Sequence, residues 1–237
     1  MRAALLLFGQ ARATDRIEAN PGVSSLSVIE KYKLDVYCCF WDEPEAHKSI
    51  ELFKPKSHAL ISPDVFPAWK AEWWKKWSRE VGKVQDVSHR WPRFNNEILT
   101  SRDNTLRYWV LAHHGIKLLS GGYDLVVASR PDVGFAIYPE IEHVLPDQIV
   151  VQDRWYFSYI DHIFWGASAS MQKLLNWDKM IAAMVKAEIM GKYGRRPMSL
   201  ARGGRWLSGE NTLALTIQLS GFTLAKRQFK TFVIRRK

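Results

Sequence analysis

Residues 3–8 are six apolar side chains in a row, Ala-Ala-Leu-Leu-Leu-Phe, and the run stops at Gly9-Gln10. A run this short, with no polar alternation, suits a strand buried on both faces, as in a parallel sheet covered by helices. The same signature returns at residues 35–40 (DVYCCF) and, more briefly, at 58–61. Between these runs, residues 21–32 and 43–52 have helix-like composition. Strand, helix, strand, helix predicts βαβ units: an α/β fold with a mainly parallel, Rossmann-like central sheet flanked by helices. A chain of 237 residues can bury such a core without disulfides or a structural metal. Neither an internal repeat nor a low-complexity linker interrupts it, so a single domain, 1–237, is expected.

Further along, residues 66–79 (FPAWKAEWWKKWSR) set Trp69, Trp73 and Trp77 four apart, on one helical face. This is read as a packing stripe, with Lys70, Lys75, Lys76 and Arg79 turned to water. Residues 95–114 predict a second long helix, capped near Ser101 with Asp103 at the positive end of its dipole. Strands are expected at 148–151 and 160–165, a long amphipathic helix at 169–190, and a last helix at 209–219. Between the last two, residues 191–206 form a glycine-rich basic loop carrying Lys192, Arg195, Arg196, Arg202 and Arg205 without an acid. From Phe222 a strand is expected, followed by a basic tail, 226–237, which could favour an anionic lipid-linked or phosphorylated acceptor but is read first as a terminal strand with solvated charges.

Charge narrows the class of partner. The formal charge is +10, which favours anionic partners: nucleic acid, an anionic membrane surface or a phosphorylated small molecule. The basic residues are spread through the chain and no nucleic-acid motif appears, so no specific nucleic acid is expected. Eleven tryptophans provide flat apolar faces suited to sugars and bases, although most tryptophans simply pack in cores. Cys38 and Cys39, the two cysteines, are adjacent and are expected to be free thiols, as in a reducing compartment. The apolar start is too short for a signal-peptide core or a membrane span, so a cytoplasmic protein with possible peripheral contact at an anionic membrane is expected. Walker, GxGxxG, GxSxG and HExxH motifs are all missing from the sequence.

The most informative segment is residues 123–132, YDLVVASRPD. A four-residue apolar run leads into the polar tip Arg130-Pro131-Asp132. Ligands in open α/β sheets bind beyond the carboxyl ends of the strands, so this tip is a candidate site. On spacing alone, an Arg-x-Asp turn holding an internal ion pair at the surface fits as well.

The ordered set of segments resembles bacterial and viral glycosyltransferases of the GT-A class, which build capsules and other polysaccharides from nucleotide sugars. Leu7-Phe8-Gly9-Gln10-Ala11-Arg12 resembles the family's opening strand and loop, and residues 36–42 its second strand with the acid Asp42. Residues 104–114 resemble the helix near base and ribose, and 123–132 the strand whose final acid replaces a DxD motif. Residues 159–166 (YIDHIFWG) are similar to the strand beside the acceptor, and Ser208-Gly209-Glu210-Asn211 to the helix start that closes the site.

The resemblance implies a sugar transferase with a nucleotide-sugar donor and a glycan or lipid-linked saccharide acceptor, assisted by Mn or Mg. Residues 1–132 would form the donor part and 133–237 the acceptor side. Phe8, Gly9, Gln10, Arg12, Asn104 and Arg107 would hold the nucleotide, Arg130 the diphosphate or donor sugar, and Asp132 the metal. Glu210 is the first choice for catalytic base, with Asp161 and Asp153 in reserve; helix capping explains Glu210 equally well. The chain departs from the family in offering one carboxylate instead of two, so the arginines at 195, 196, 202 and 205 could carry the charge. The competing classes are a nucleic-acid-binding basic protein and a catalytically inactive glycan-binding module on the same fold.

Overall fold

The computed structural model describes residues 1–81, 96–152, 160–176, 178, 213, 216, 217 and 219–234, and the side chains of these residues except 73, 74, 76–81, 96–104, 160 and 161. The apolar run at the amino terminus forms strand β1 (Ala3–Gly9), and the next two form β2 (Asp35–Trp41) and β3 (Ser57–Ile61). The chain then adds β4 (Leu125–Ser129), β6 (Gln148–Gln152), β7 (Ile160–Ala167) and β8 (Thr223–Arg227). Among the described residues these seven strands make one sheet, in the order β3-β2-β1-β4-β7-β6-β8. The first four are mutually parallel, β7 runs antiparallel to both its neighbours, and β6 and β8 pair in parallel.

Helices cover both faces, which is why the strands carry no polar alternation. Ala4, Leu6 and Phe8 of β1 face one core, with Trp109 and Val110 of α5 (Asn96–Ile116), Trp69 of α4 (Phe66–Val81) and Met171 of α6 (Ser168–Leu174). Leu5 and Leu7 face the other, with Ile17 of α1 (Thr14–Ala19), Val28 of α2 (Ser25–Tyr32) and Phe53 of α3 (Pro44–Phe53). Cys38 and Cys39 lie free and fully buried, and burial pushes the Cys39 thiol up to about 12, so neither is a nucleophile at neutral pH.

Two sequence expectations change here. Helix α5 begins at Asn96, so Ser101 lies inside its second turn; Glu97, Ile98 and Leu99 are competent helix formers and nothing stops the helix there. The expected helix 169–190 is not continuous, because α6 ends at Leu174 and Asn176 Oδ1 accepts the Asp178 N–H at 3.0 Å in the manner of a new helix cap. The carboxyl-terminal segment is a strand with exposed charges, as expected: β9 (Lys230–Val233) pairs antiparallel with β5 (Val133–Ile137), forming a small second sheet beside the main one. Of the tryptophan stripe, Trp69 packs inward as expected; the Trp73 and Trp77 side chains lie outside the described residues. So do the loop 191–206 and most of 209–219. No described helix is long and apolar enough to cross a membrane.

Candidate functional site

The strand order defines where a ligand belongs. From β1 the chain steps outward to β2 and β3, then returns to place β4 on the opposite side of β1. The sheet therefore has a topological switch point between β1 and β4, where the two carboxyl ends leave a crevice that connections do not cross. In register, Leu7 stands beside Ser129, so the loops that follow, 10–13 and 130–132, emerge side by side. These are the two loops singled out by sequence.

The first loop has little freedom. Gly9 has φ +117°, and a Cβ there would meet Tyr108 Cδ2 at 3.3 Å, so both backbone and neighbour call for glycine. Tyr108 in turn packs against Phe8, with ring centroids 4.6 Å apart and ring planes tilted by 35°, and Phe8 is itself fully buried. Ala13, at φ 55°, is left-handed where a non-glycine residue is uncommon. Arg12 is exposed and its guanidinium donates to Gln10 Oε1, while Gln10 lies 3.5 Å from Glu43. At the start of α1 the Thr14 N–H donates to Glu45 Oε1 at 2.9 Å. A carboxylate thus already occupies the helix start at which dinucleotide-binding folds hold a pyrophosphate, so the positive charge beside these loops comes from side-chain cations.

Two such cations are built in. Arg107 is half-buried, its guanidinium carbon 4.5 Å from the Phe66 ring centroid and 5.6 Å from that of Trp41, with no carboxylate partner among the described residues. This is a desolvated cation held by aromatic faces at the carboxyl end of β2. Arg130 is the second, 26% exposed, and Asp132 fixes it with two parallel bonds: Nε to Oδ1 at 2.9 Å and Nη2 to Oδ2 at 2.8 Å. Asp132 itself is only 1% exposed.

That geometry bears on the expected metal role of Asp132. Both its oxygens are engaged by Arg130, and no group of three His, Cys, Asp or Glu side chains able to hold an ion occurs among the described residues. Asp132 is thus engaged in orienting Arg130 and, of the four candidate carboxylates, is the one whose side chain is described.

The remaining candidates are placed unevenly. Asp161 lies on β7 next to His162, whose carbonyl accepts the Arg130 N–H at 3.1 Å, so the Asp161 backbone stands across from the 130–132 loop; its side chain is outside the described residues. Asn104 is one turn before Tyr108 on α5, its side chain likewise outside, and Asp153 and Glu210 lie outside the described residues altogether.

Two participants escaped the sequence reading. Tyr108 floors the first loop, and Thr231 of β9 sits between His162 Nδ1 (2.8 Å) and Gln152 Oε1 (2.6 Å). The Ile234 N–H also donates to the Asp132 carbonyl at 2.8 Å, so the carboxyl-terminal strand braces the site from behind. Only the pairing of β9 with β5 brings these residues together, and no local pattern announces it. The chain matches no protein-family model and no curated protein sequence, so the site rests on its own geometry.

Proposed function

We propose that this chain is a glycosyltransferase of the GT-A type, moving a sugar from a nucleotide-sugar donor to a glycan or lipid-linked saccharide. The observation that carries the reading is the switch point between β1 and β4, which sets the 10–13 loop beside a guanidinium locked by a buried carboxylate. In the proposed roles, Gly9, Gln10 and Arg12 line the nucleotide. Arg107, on its aromatic platform, and Arg130 meet the diphosphate. A guanidinium fork matches phosphate oxygens, and one already oriented by Asp132 pays little entropy on binding. As the leaving diphosphate gains charge in the transition state, a preoriented cation stabilises it without reorganisation. The acceptor's proton would go to a carboxylate, with Glu210 the first choice and Asp161, whose backbone stands across from Arg130, or Asp153 in reserve.

The test is a melting-shift screen with UDP, GDP, TDP and CMP, each with and without manganese, followed by transfer assays with the corresponding sugars. A ligand that binds only the native state raises the melting temperature, and about 2.7 kcal/mol is gained at a hundredfold excess over Kd. One nucleotide should stabilise the protein without requiring manganese, and Arg130→Ala should abolish the shift. No stabilisation by any nucleotide removes the proposal. Stabilisation without transfer or donor hydrolysis leaves a binding module instead of an enzyme.

A further inference from the structure

We infer that Thr231 is a positioning residue for Arg130, acting through His162. The pairing of β6 with β7 becomes irregular just where β7 meets Arg130. Val151 and Gln152, consecutive on β6, pair with Phe164 and Ile160 of β7, so residues 161–163 have no partner on β6 among the described residues. Bulges of this kind recur beside functional sites, because they re-aim side chains while giving up ladder bonds. Yet Arg130 depends on this very stretch: the His162 carbonyl accepts the Arg130 N–H at 3.1 Å and the Ser129 hydroxyl at 2.9 Å. Something besides the β6 ladder has to hold His162 in place.

Thr231 supplies that hold. Its hydroxyl has one proton, which goes to Gln152 Oε1 at 2.6 Å, an atom that can only accept. The 2.8 Å contact with His162 Nδ1 therefore runs the other way, with Nδ1–H donating to Thr231 Oγ1. One hydroxyl thus bridges buried Gln152 on β6 to the bulged part of β7. It also fixes the tautomer of the ring: Nδ1 keeps its proton, and Nε2 is the nitrogen that titrates. Strand β9 grips the far side of the same loop, through the Ile234 N–H on the Asp132 carbonyl at 2.8 Å. The pair of Arg130 and Asp132 is therefore held at both ends by one strand. A guanidinium keeps its productive direction only while its supports are locked, and a displacement of about 1 Å can lower a rate about a hundredfold.

The functional consequence rests on the reading of Arg130 as a diphosphate ligand, whereas the positioning itself is measured on the full chain without nucleotide. Thr231→Val keeps the side-chain shape and removes the hydroxyl; Thr231→Ser keeps the hydroxyl. Proton–nitrogen correlation NMR follows the Arg130 Nε–H, identified by its loss in Arg130→Lys, and the His162 ring nitrogens, identified by their loss in His162→Gln. In the wild type, His162 Nδ1 is expected to carry a proton. Thr231→Val should free the neutral ring to move that proton to Nε2 and should shift the Arg130 Nε–H signal. It should also raise the Kd of the nucleotide found by the melting screen about tenfold. Thr231→Ser should restore all three. Gln152→Leu removes the acceptor at the other end of the bridge and gives the same reading should Thr231→Val not fold. An unchanged Arg130 signal in the folded variant overturns the inference, even if the melting temperature falls, because Thr231 then only staples β9. So does a wild-type His162 ring protonated at Nε2 alone. If no nucleotide stabilises the wild type, the transferase reading fails, and the two NMR signals still decide the positioning.

Discussion

The two ends of the central sheet use the same kinds of side chain for opposite purposes. At the amino end, Asp35 is tied to Lys56 at 2.7 Å and to Arg2 at 3.7 Å, and accepts a 2.9 Å bond from the Tyr123 hydroxyl, which also meets the Tyr37 hydroxyl at 2.7 Å. Arg2 lies over the Tyr123 ring and its backbone N–H donates to Asp124. Every charge there is answered, and the Lys56 hydrogen bond, ahead of other causes, holds the Asp35 carboxyl below the usual range. At the carboxyl end, a buried carboxylate is spent on orienting one guanidinium, a second rests on aromatic rings with no carboxylate partner among the described residues, and the backbone is left-handed at Gly9 and Ala13. Closed networks stabilise a fold; preoriented cations and strained loops are what a ligand site requires.

The contrast can be broken most forcefully at Arg130. Arg130→Ala leaves Asp132 buried without its partner, which should cost about 3–5 kcal/mol in urea unfolding and eliminate nucleotide-dependent stabilisation. If unfolding is unchanged, the pair is not the desolvated clamp described above. Next comes Gly9→Val, which forces a branched side chain onto φ +117° and against Tyr108; about 1–3 kcal/mol should be lost, together with nucleotide binding.

At the other end of the sheet, Tyr123→Phe removes the hydroxyl shared by Asp35 and Tyr37, and about 1–2 kcal/mol of stability should go while nucleotide affinity stays at its wild-type value. A matching loss of affinity would mean that the two ends are coupled. The smallest effect concerns pH. Burial first, then the charge of Lys117, pushes His113 down to about 4, and His114 is lowered for the same reasons. The unfolded chain therefore binds more protons between its ordinary value near 6.5 and about 4, so stability falls as pH drops through that window. Asp35, whose folded value is depressed, loses its contribution only at more acidic pH, below 3.8. His113→Gln should flatten the decline between pH 6.5 and 4 in a series of chemical denaturations; an unaltered slope would assign it to other groups.

Much of this was legible in the chain itself. Uninterrupted apolar runs marked β1, β2 and β4 because a strand covered on both faces has no solvent side to keep polar. Gly9-Gln10 and Arg130-Pro131-Asp132 stood out because a loop that must leave such a strand switches abruptly to polar residues. A terminal strand with solvated charges was legible at the end of the chain, but its pairing with β5 was not, because residues 230–233, Lys-Thr-Phe-Val, lie nearly a hundred positions from their partners. Nor was the burial of Asp132: spacing offered an ion pair at the surface and a metal ligand on equal terms, whereas in the fold the pair is formed with Asp132 only 1% exposed.

The sequence by itself determined the class of fold and the two loops in which polar chemistry is concentrated, because hydrophobic patterning is a local property of consecutive residues. Strand order, and with it the crevice between β1 and β4, came only from tertiary structure, as did the sealing of Asp132 against Arg130 and the bracing of the site by β9. Each depends on contacts between segments far apart in the chain, and the free energy of such contacts is set by what they exclude from water once the whole sheet has closed.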